Sequence, residues 1–106
     1  MEISKLTNPT VKAAFEAWQS GNSDEWLSFF TEDAKLLDDG HPRNFKKFST
    51  EAIGQEWFTS IEEVNDNGLT IYGDFHSDKW GDFKAYFKFY CNRNGKFYQL
   101  EIGQTK

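Results

Sequence analysis

The chain has one cysteine, Cys91, in 106 residues, so no disulfide can form within it. Packing alone must hold the fold, and so sparing a use of cysteine fits a reducing, intracellular home. No apolar run approaches the ~18 residues of a membrane span, and nothing at the start reads as a signal peptide. A soluble, cytoplasmic protein with no membrane partner is therefore expected. Positive charge is also scarce, with a net charge of −5. A polyanion would be held against overall repulsion, and neither a dense basic stripe nor an RNA-binding aromatic motif is present, so no nucleic-acid partner is expected. The one basic cluster, His41, Arg43, Lys46 and Lys47, reads as a solvated loop face. Repeats, low-complexity tracts and linkers are absent, and the length suits one domain, residues 1–106. The two histidines stand far apart without a carboxylate at ligand spacing, which speaks against a metal, and no other cofactor is expected.

Aromatic residues are what the chain has in plenty. Eleven Phe, four Trp and four Tyr make up 18% of it, so the core is built from large rings. Thr7-Asn8-Pro9 starts a helix, with a capping side chain ahead of a proline whose missing N–H costs nothing in the first turn. Val11, Ala14, Phe15 and Trp18 form its apolar face, and Gly21-Asn22 ends it. Ser23 is positioned to cap a second helix from Asp24 to about Phe30. Residues 34–38 read as a short strand with Leu36 and Asp38 on one face, followed by a turn over residues 39–42. Residues 44–48 read as a strand or an irregular connection. Thr50 is the expected cap of a third helix with the apolar face Ile53, Trp57, Ile61 and Val64, stopped by residues 65–68. Residues 69–76 alternate, placing Ile71, Gly73 and Phe75 opposite Tyr72, Asp74 and His76.

The last segment is the most specific. Asn94-Gly95 is the signature of a type I′ hairpin turn, which needs positive φ at both central residues. Such a turn sets Lys88 opposite Glu101, Phe89 opposite Leu100 and Phe87 opposite Ile102. One face then carries Phe83, Ala85, Phe87, Phe89, Cys91, Tyr98, Leu100 and Ile102; the other carries Lys84, Tyr86, Lys88, Tyr90, Phe97, Gln99 and Glu101. The Lys88–Glu101 pair would contribute only tenths of a kcal/mol. The element order predicts an α+β domain, with helices on the concave side of a bent sheet.

Residues 13–22 (AAFEAWQSGN), 29–34 (FFTEDA) and 51–58 (EAIGQEWF), together with the closing hairpin, resemble the nuclear transport factor 2-like superfamily, which includes ketosteroid isomerases and SnoaL-like polyketide cyclases. The resemblance implies a cone-shaped α+β barrel, three helices from the N-terminal half packed in the concave face of a curved, mainly antiparallel sheet. Its motifs are packing motifs, and the superfamily spans enzymes, binding subunits and association domains, so the fold does not choose the function. In the isomerase branch the general base falls at Asp38, but the two oxyanion donors fall at Ala14 and near Phe87, which cannot donate. Losing one such donor typically costs about 10²–10³ in rate, so ketosteroid isomerisation of that kind is not expected.

Asp38 is the best single chemical residue, as a proton-transferring carboxylate in an apolar pocket or as a group that ties the Gly40 turn. His41 is the second catalytic candidate, as a shuttle at the pocket mouth or as an exposed loop side chain. Phe15, Trp18, Phe30, Leu36, Trp57, Ile61, Phe75, Phe87, Phe89 and Ile102 either line an apolar cavity or fill it, with Gln104 near the open end. On the outer face Tyr72, Tyr86, Tyr90 and Phe97 give more aromatic surface than a solvated sheet needs, and a homodimer through that face is expected. Three functions stay open: a binder of a small apolar or aromatic molecule, an isomerase, cyclase or lyase using Asp38, and a filled-core association module.

Overall fold

The computed structural model describes residues 3–105. A 3-10 turn at Ile3–Lys5 precedes helices α1 (Pro9–Gln19) and α2 (Ser23–Ser28), strands β1 (Phe30–Asp38) and β2 (His41–Arg43), helix α3 (Phe45–Ala52), and strands β3 (Glu56–Phe58), β4 (Glu63–Asn65), β5 (Thr70–Ser77), β6 (Gly81–Cys91) and β7 (Phe97–Gln104). The strands form one sheet in the order β2-β1-β7-β6-β5-β3, with β4 also on β5. Among the described strands, β1 and β7 are the one parallel pair. The sheet is curved but not closed, and the helices pack against it in a cone-shaped α+β arrangement. Among the described residues, no helix is long and apolar enough to cross a membrane.

Helix α1 begins as its sequence dictates, because Asn8 Oδ1 accepts from the backbone N–H groups of Thr10 and Val11. Helix α2 is capped by Asn22 rather than Ser23 and stops at Ser28, so β1 takes over at Phe30, four residues earlier than the alternation suggested. The larger departure is the third helix. It runs over Phe45–Ala52, capped by Asn44, whose side chain accepts from the Lys47 N–H. Phe45, Phe48, Ser49 and Ala52, at i, i+3, i+4 and i+7, are its buried face. Gly54 then adopts φ +88° and turns the chain away. The Ile53–Val64 periodicity that imitates a helix instead belongs to β3 and β4, both paired to β5. Gln19 ties α1 to β3, its Nε2 donating to the Phe58 carbonyl and its Oε1 accepting from the Phe58 N–H, each at 2.8 Å. That contact holds the edge strand in place.

The final hairpin keeps the expected pairs Phe87↔Ile102, Lys88↔Glu101 and Phe89↔Leu100 for a different reason. Gly95 has positive φ (+80°) but Asn94 does not. Asn92 accepts the Gly95 N–H on its carbonyl and the Asn94 and Lys96 N–H groups on Oδ1. This is a type I turn closed by a left-handed glycine, which moves the register by one residue. A bulge where Tyr90 pairs Gln99 but Cys91 pairs Phe97 moves it back. The residues beyond the bulge are therefore inverted relative to expectation: Phe97 is fully buried (0% exposed), whereas Tyr98 is 45% exposed and Cys91 is exposed.

Candidate functional site

Most rings expected to surround a pocket instead pack against one another. Phe15, Trp18, Phe30, Leu36, Ile61 and Phe89 are buried in the core. Trp18 meets Trp26 at 5.0 Å and Phe87 at 5.1 Å between centroids, and Phe30 meets Phe97 at 5.3 Å. Trp57 lies outside, its ring 4.7 Å from the His76 ring, because β3 pairs Trp57 with His76 and turns Phe58 inward.

Beyond this packed centre the cone opens into a cleft of about 910 Å³. Its apolar walls are Phe48 and Ala52 of α3, Phe75 of β5, Phe83, Ala85 and Phe87 of β6, and Ile102 of β7. Its rim carries Asp38, Asp39, Arg43, Glu51, Gln55, Glu56, Gln104 and the β5–β6 turn with Asp78, Lys79 and Trp80. Of the expected site residues, Asp38, Phe75, Phe87, Ile102 and Gln104 line this cleft, as does Tyr86, which was expected only on the outer face; His41 is exposed on β2 and does not.

Asp38 is not a solitary carboxylate. Arg43 Nη1 donates to its Oδ2 at 2.6 Å, and the guanidinium lies 5.3 Å from the centroid of the Phe48 ring. The antiparallel β1–β2 turn creates this pairing by bringing Arg43 back beside the end of β1. Glu56 was missed in the sequence because the imitated helix placed it on a polar face. Its Oε2 accepts from Ser77 Oγ at 3.0 Å. The Ser77 hydroxyl, 1% exposed, in turn accepts from the N–H groups of Lys79 (3.2 Å) and Trp80 (3.1 Å). One donor and two acceptor positions saturate a hydroxyl, so Ser77 fixes both Glu56 and the turn that carries Trp80. Burial raises the Glu56 carboxyl above its ordinary value, against lowering by the Ser77 bond and the Arg43 charge. Trp80 stands 69% exposed at the rim, and its only signal in the sequence is a tryptophan inside a Ser-Asp-Lys turn.

Beside the turn, His76 Nδ1 lies 2.7 Å from Asp82 Oδ1 and Nε2 lies 2.8 Å from Asp78 Oδ1. Two carboxylates require two N–H donors, hence the imidazolium form. The bonds to Asp82 and then Asp78 hold the His76 pKa above its ordinary value. A raised histidine stabilises fully below its unfolded value of about 6.5, and that contribution is lost as pH rises through the folded value. We expect the His76 ring protons to titrate with a midpoint above about 6.5 in an NMR pH series. A midpoint at or below it contradicts the double clamp.

On the outer face Glu101 accepts from two tyrosines, Tyr86 (Oη to Oε2, 3.0 Å) and Tyr90 (Oη to Oε1, 2.9 Å). Among the described residues Lys88 makes no ion pair with Glu101; its ammonium lies 5.3 Å from the centroid of the Tyr90 ring. Burial and the Glu101 bond push Tyr86 up to about 12. Tyr98 joins Tyr72, Tyr86 and Tyr90 on this side in place of the inward-turned Phe97. No group of three potential metal ligands occurs among the described residues.

No family model matches the chain, and no curated protein does. Solved structures do. The Orange Carotenoid Protein of Anabaena (Nostoc) sp. PCC 7120, in a structure binding canthaxanthin, superposes with a TM-score of 0.71 at 21% identity over 91% of this chain. This chain spans only 35% of that protein's length. A nuclear transport factor 2-like protein of Cytophaga hutchinsonii ATCC 33406 gives 0.71 at 10% identity, covering 91% of this chain and 87% of the other. TerC, co-crystallised with polyporic acid, gives 0.67 at 13% identity, covering 91% and 88%. The fold of this chain is thus that of the nuclear transport factor 2-like proteins.

Proposed function

We propose that the protein binds a small molecule with a mostly apolar or aromatic body in the cleft at the open end of the cone. The observation that carries this reading is the unfilled space itself. About 910 Å³ with walls of Phe48, Phe75, Phe83, Phe87 and Ile102 is of the size and lining that small-molecule sites have. Two structural neighbours hold ligands of that kind, canthaxanthin in the carotenoid protein and polyporic acid in TerC. Asp38 serves here to orient the ligand through its ion pair with Arg43. Using it as a general base, the alternative reading, leaves Oδ1 to take the proton, since Arg43 holds Oδ2.

A thermal-shift screen with planar apolar and aromatic compounds tests the proposal. A ligand at ~100 times its dissociation constant adds roughly 2.7 kcal/mol, a rise of about 10 °C or more for a domain of this size. Ala85→Phe, which places a ring in the cleft, should remove the response. Silence across the panel with the unmodified protein defeats the proposal and turns attention to the outer sheet face. There Tyr98 extends the row formed by Tyr72, Tyr86 and Tyr90, which favours a homodimer. Sedimentation of the same samples reads this directly, since a monomer has a mass of 12.4 kDa.

A further inference from the structure

We propose that the ligand of this cleft carries a protonated amine or another cationic head, and that Glu56 receives it. The inference rests on the cleft being a ligand site and adds the chemistry of the ligand's polar end.

The wall offers five carboxylates, Asp38, Asp39, Glu51, Glu56 and Asp78, against two cations, Arg43 and Lys79. Neither cation is well placed to receive an anion. Arg43 is held by Asp38 at 2.6 Å, and the Lys79 ammonium lies 5.0 Å from the centroid of the Trp80 ring on an exposed turn. Two further carboxylates are also engaged, Asp78 with His76 and Asp39 Oδ1 with the Gln104 N–H at 3.2 Å. Glu51 is exposed, and of the two half-buried carboxylates, Asp38 and Glu56, Glu56 alone makes no ion pair among the described residues. It is half-buried, strand pairing sets it opposite Ser77, and its Oε2 is fixed by the Ser77 hydroxyl. Its Oε1 has no hydrogen-bond partner among the described residues. A carboxylate partly withdrawn from water with one oxygen unused regains most from a cationic donor, whose charge offsets the cost of desolvation. The apolar walls stand beside it to take the rest of the molecule. An anionic head would meet this surplus of negative charge, with only the Asp38-bound Arg43 and the exposed Lys79 to set against it.

Three probes sharing one ring system separate the possibilities: 2-naphthylmethylamine, 2-naphthylmethanol and 2-naphthoic acid. At about pH 8 the amine should bind about tenfold or more tightly than the alcohol, with the acid weakest. Glu56→Gln should erase the amine's advantage and leave the alcohol's affinity within about twofold. Should that variant fail to fold, the unmodified protein still decides. The charged groups acting on Glu56 are Arg43 of β2, Asp38 of β1 and Lys79 of the turn. Because burial sets its pKa above the ordinary value, the amine's advantage should shrink as the pH is lowered through that raised value, while the alcohol's affinity holds. If the alcohol or the acid binds as well as the amine, or the advantage survives both Glu56→Gln and low pH, the inference is overturned and the pocket stands. If none of the three binds, both fall together.

Discussion

Trp26→Ala should cost about 3–5 kcal/mol, the range for truncating a large core aromatic, out of the roughly 5–15 kcal/mol that holds a domain together. The indole is 0% exposed. It sits among Trp18, Phe30, Phe45, Phe87 and Phe89, at centroid distances of 5.0, 4.9, 6.4, 6.2 and 5.9 Å. These rings come from α1, β1, α3 and β6, so the cavity left by truncation would open where helices meet sheet. Core packing collapses only partly into such a space, and the lost contacts add to the lost transfer energy. The indole Nε1 also donates to Ser49 Oγ at 3.0 Å, and Ser49 is itself 0% exposed. Truncation leaves that hydroxyl without the bond. Urea denaturation should show the midpoint falling sharply with little change in slope, and the thermal midpoint falling by about 15 °C or more. Ser49→Ala isolates the polar part, since it strands the indole N–H at a cost of about 1–3 kcal/mol. A Trp26→Ala loss below about 1 kcal/mol would mean that these rings are not the packed centre. The effect should reach the cleft too, because Phe87 touches Trp26 and forms part of the wall.

How far the site could be read in advance follows from the same packing. Period-two alternation placed Phe75, Phe87 and Ile102 on the inner face, and strand order brought Asp38 to the open end; all four line the cleft. The same alternation could not separate lining rings from filling rings. Phe89 and Phe87 lie two residues apart on one strand face, yet Phe87 borders empty space while Phe89 is sealed by Phe97 at 4.8 Å. Phe97 faces inward only because a type I turn and a bulge displace the register in opposite senses, and either displacement alone would have inverted the hairpin pairs as well. Glu56 and Ser77 lie twenty-one positions apart and meet only through the β3–β5 pairing, which a helical reading of residues 53–64 hides. Asn44, not Thr50, caps the helix with the face Phe45, Phe48 and Ala52, and Thr50 lies inside it.

Gly73 carried the clearest warning against that helix, and Gly73→Ala is the second substitution from which a large effect is expected. An isolated glycine among alternating strand residues marks a bulge or a close approach of backbone. Here it is both, since residues 59–62 bulge opposite Gly73 and Asp74 and their backbone comes close. A Cβ at position 73 would stand 2.0 Å from the Ser60 carbonyl oxygen and 3.2 Å from the Ile61 Cα. The obstacle is main chain and cannot rotate aside. Residues 59–62 bulge over the edge of β5 at this point, between β3 and β4, with the N–H groups of Thr59 and Ser60 both directed at the Asp74 carbonyl and that of Glu62 at the Tyr72 carbonyl. An added methyl must therefore push the bulged segment off β5 or shift β5 itself. Overpacking usually costs about 1–3 kcal/mol, and a collision with backbone belongs at or beyond the top of that range. The loss should be local before it is global. Hydrogen exchange at Thr59 and Glu62 should accelerate first, while the β6–β7 hairpin amides keep protection up to the new global limit. Because β3 carries Glu56, a loosened bulge should also weaken whatever binding the cleft supports, without touching a lining residue. Unchanged exchange at Thr59 and Glu62 in a fully stable Gly73→Ala protein would show that the bulge does not lie over β5 there, and the β3–β5 pairing that positions Glu56 would have to be redrawn.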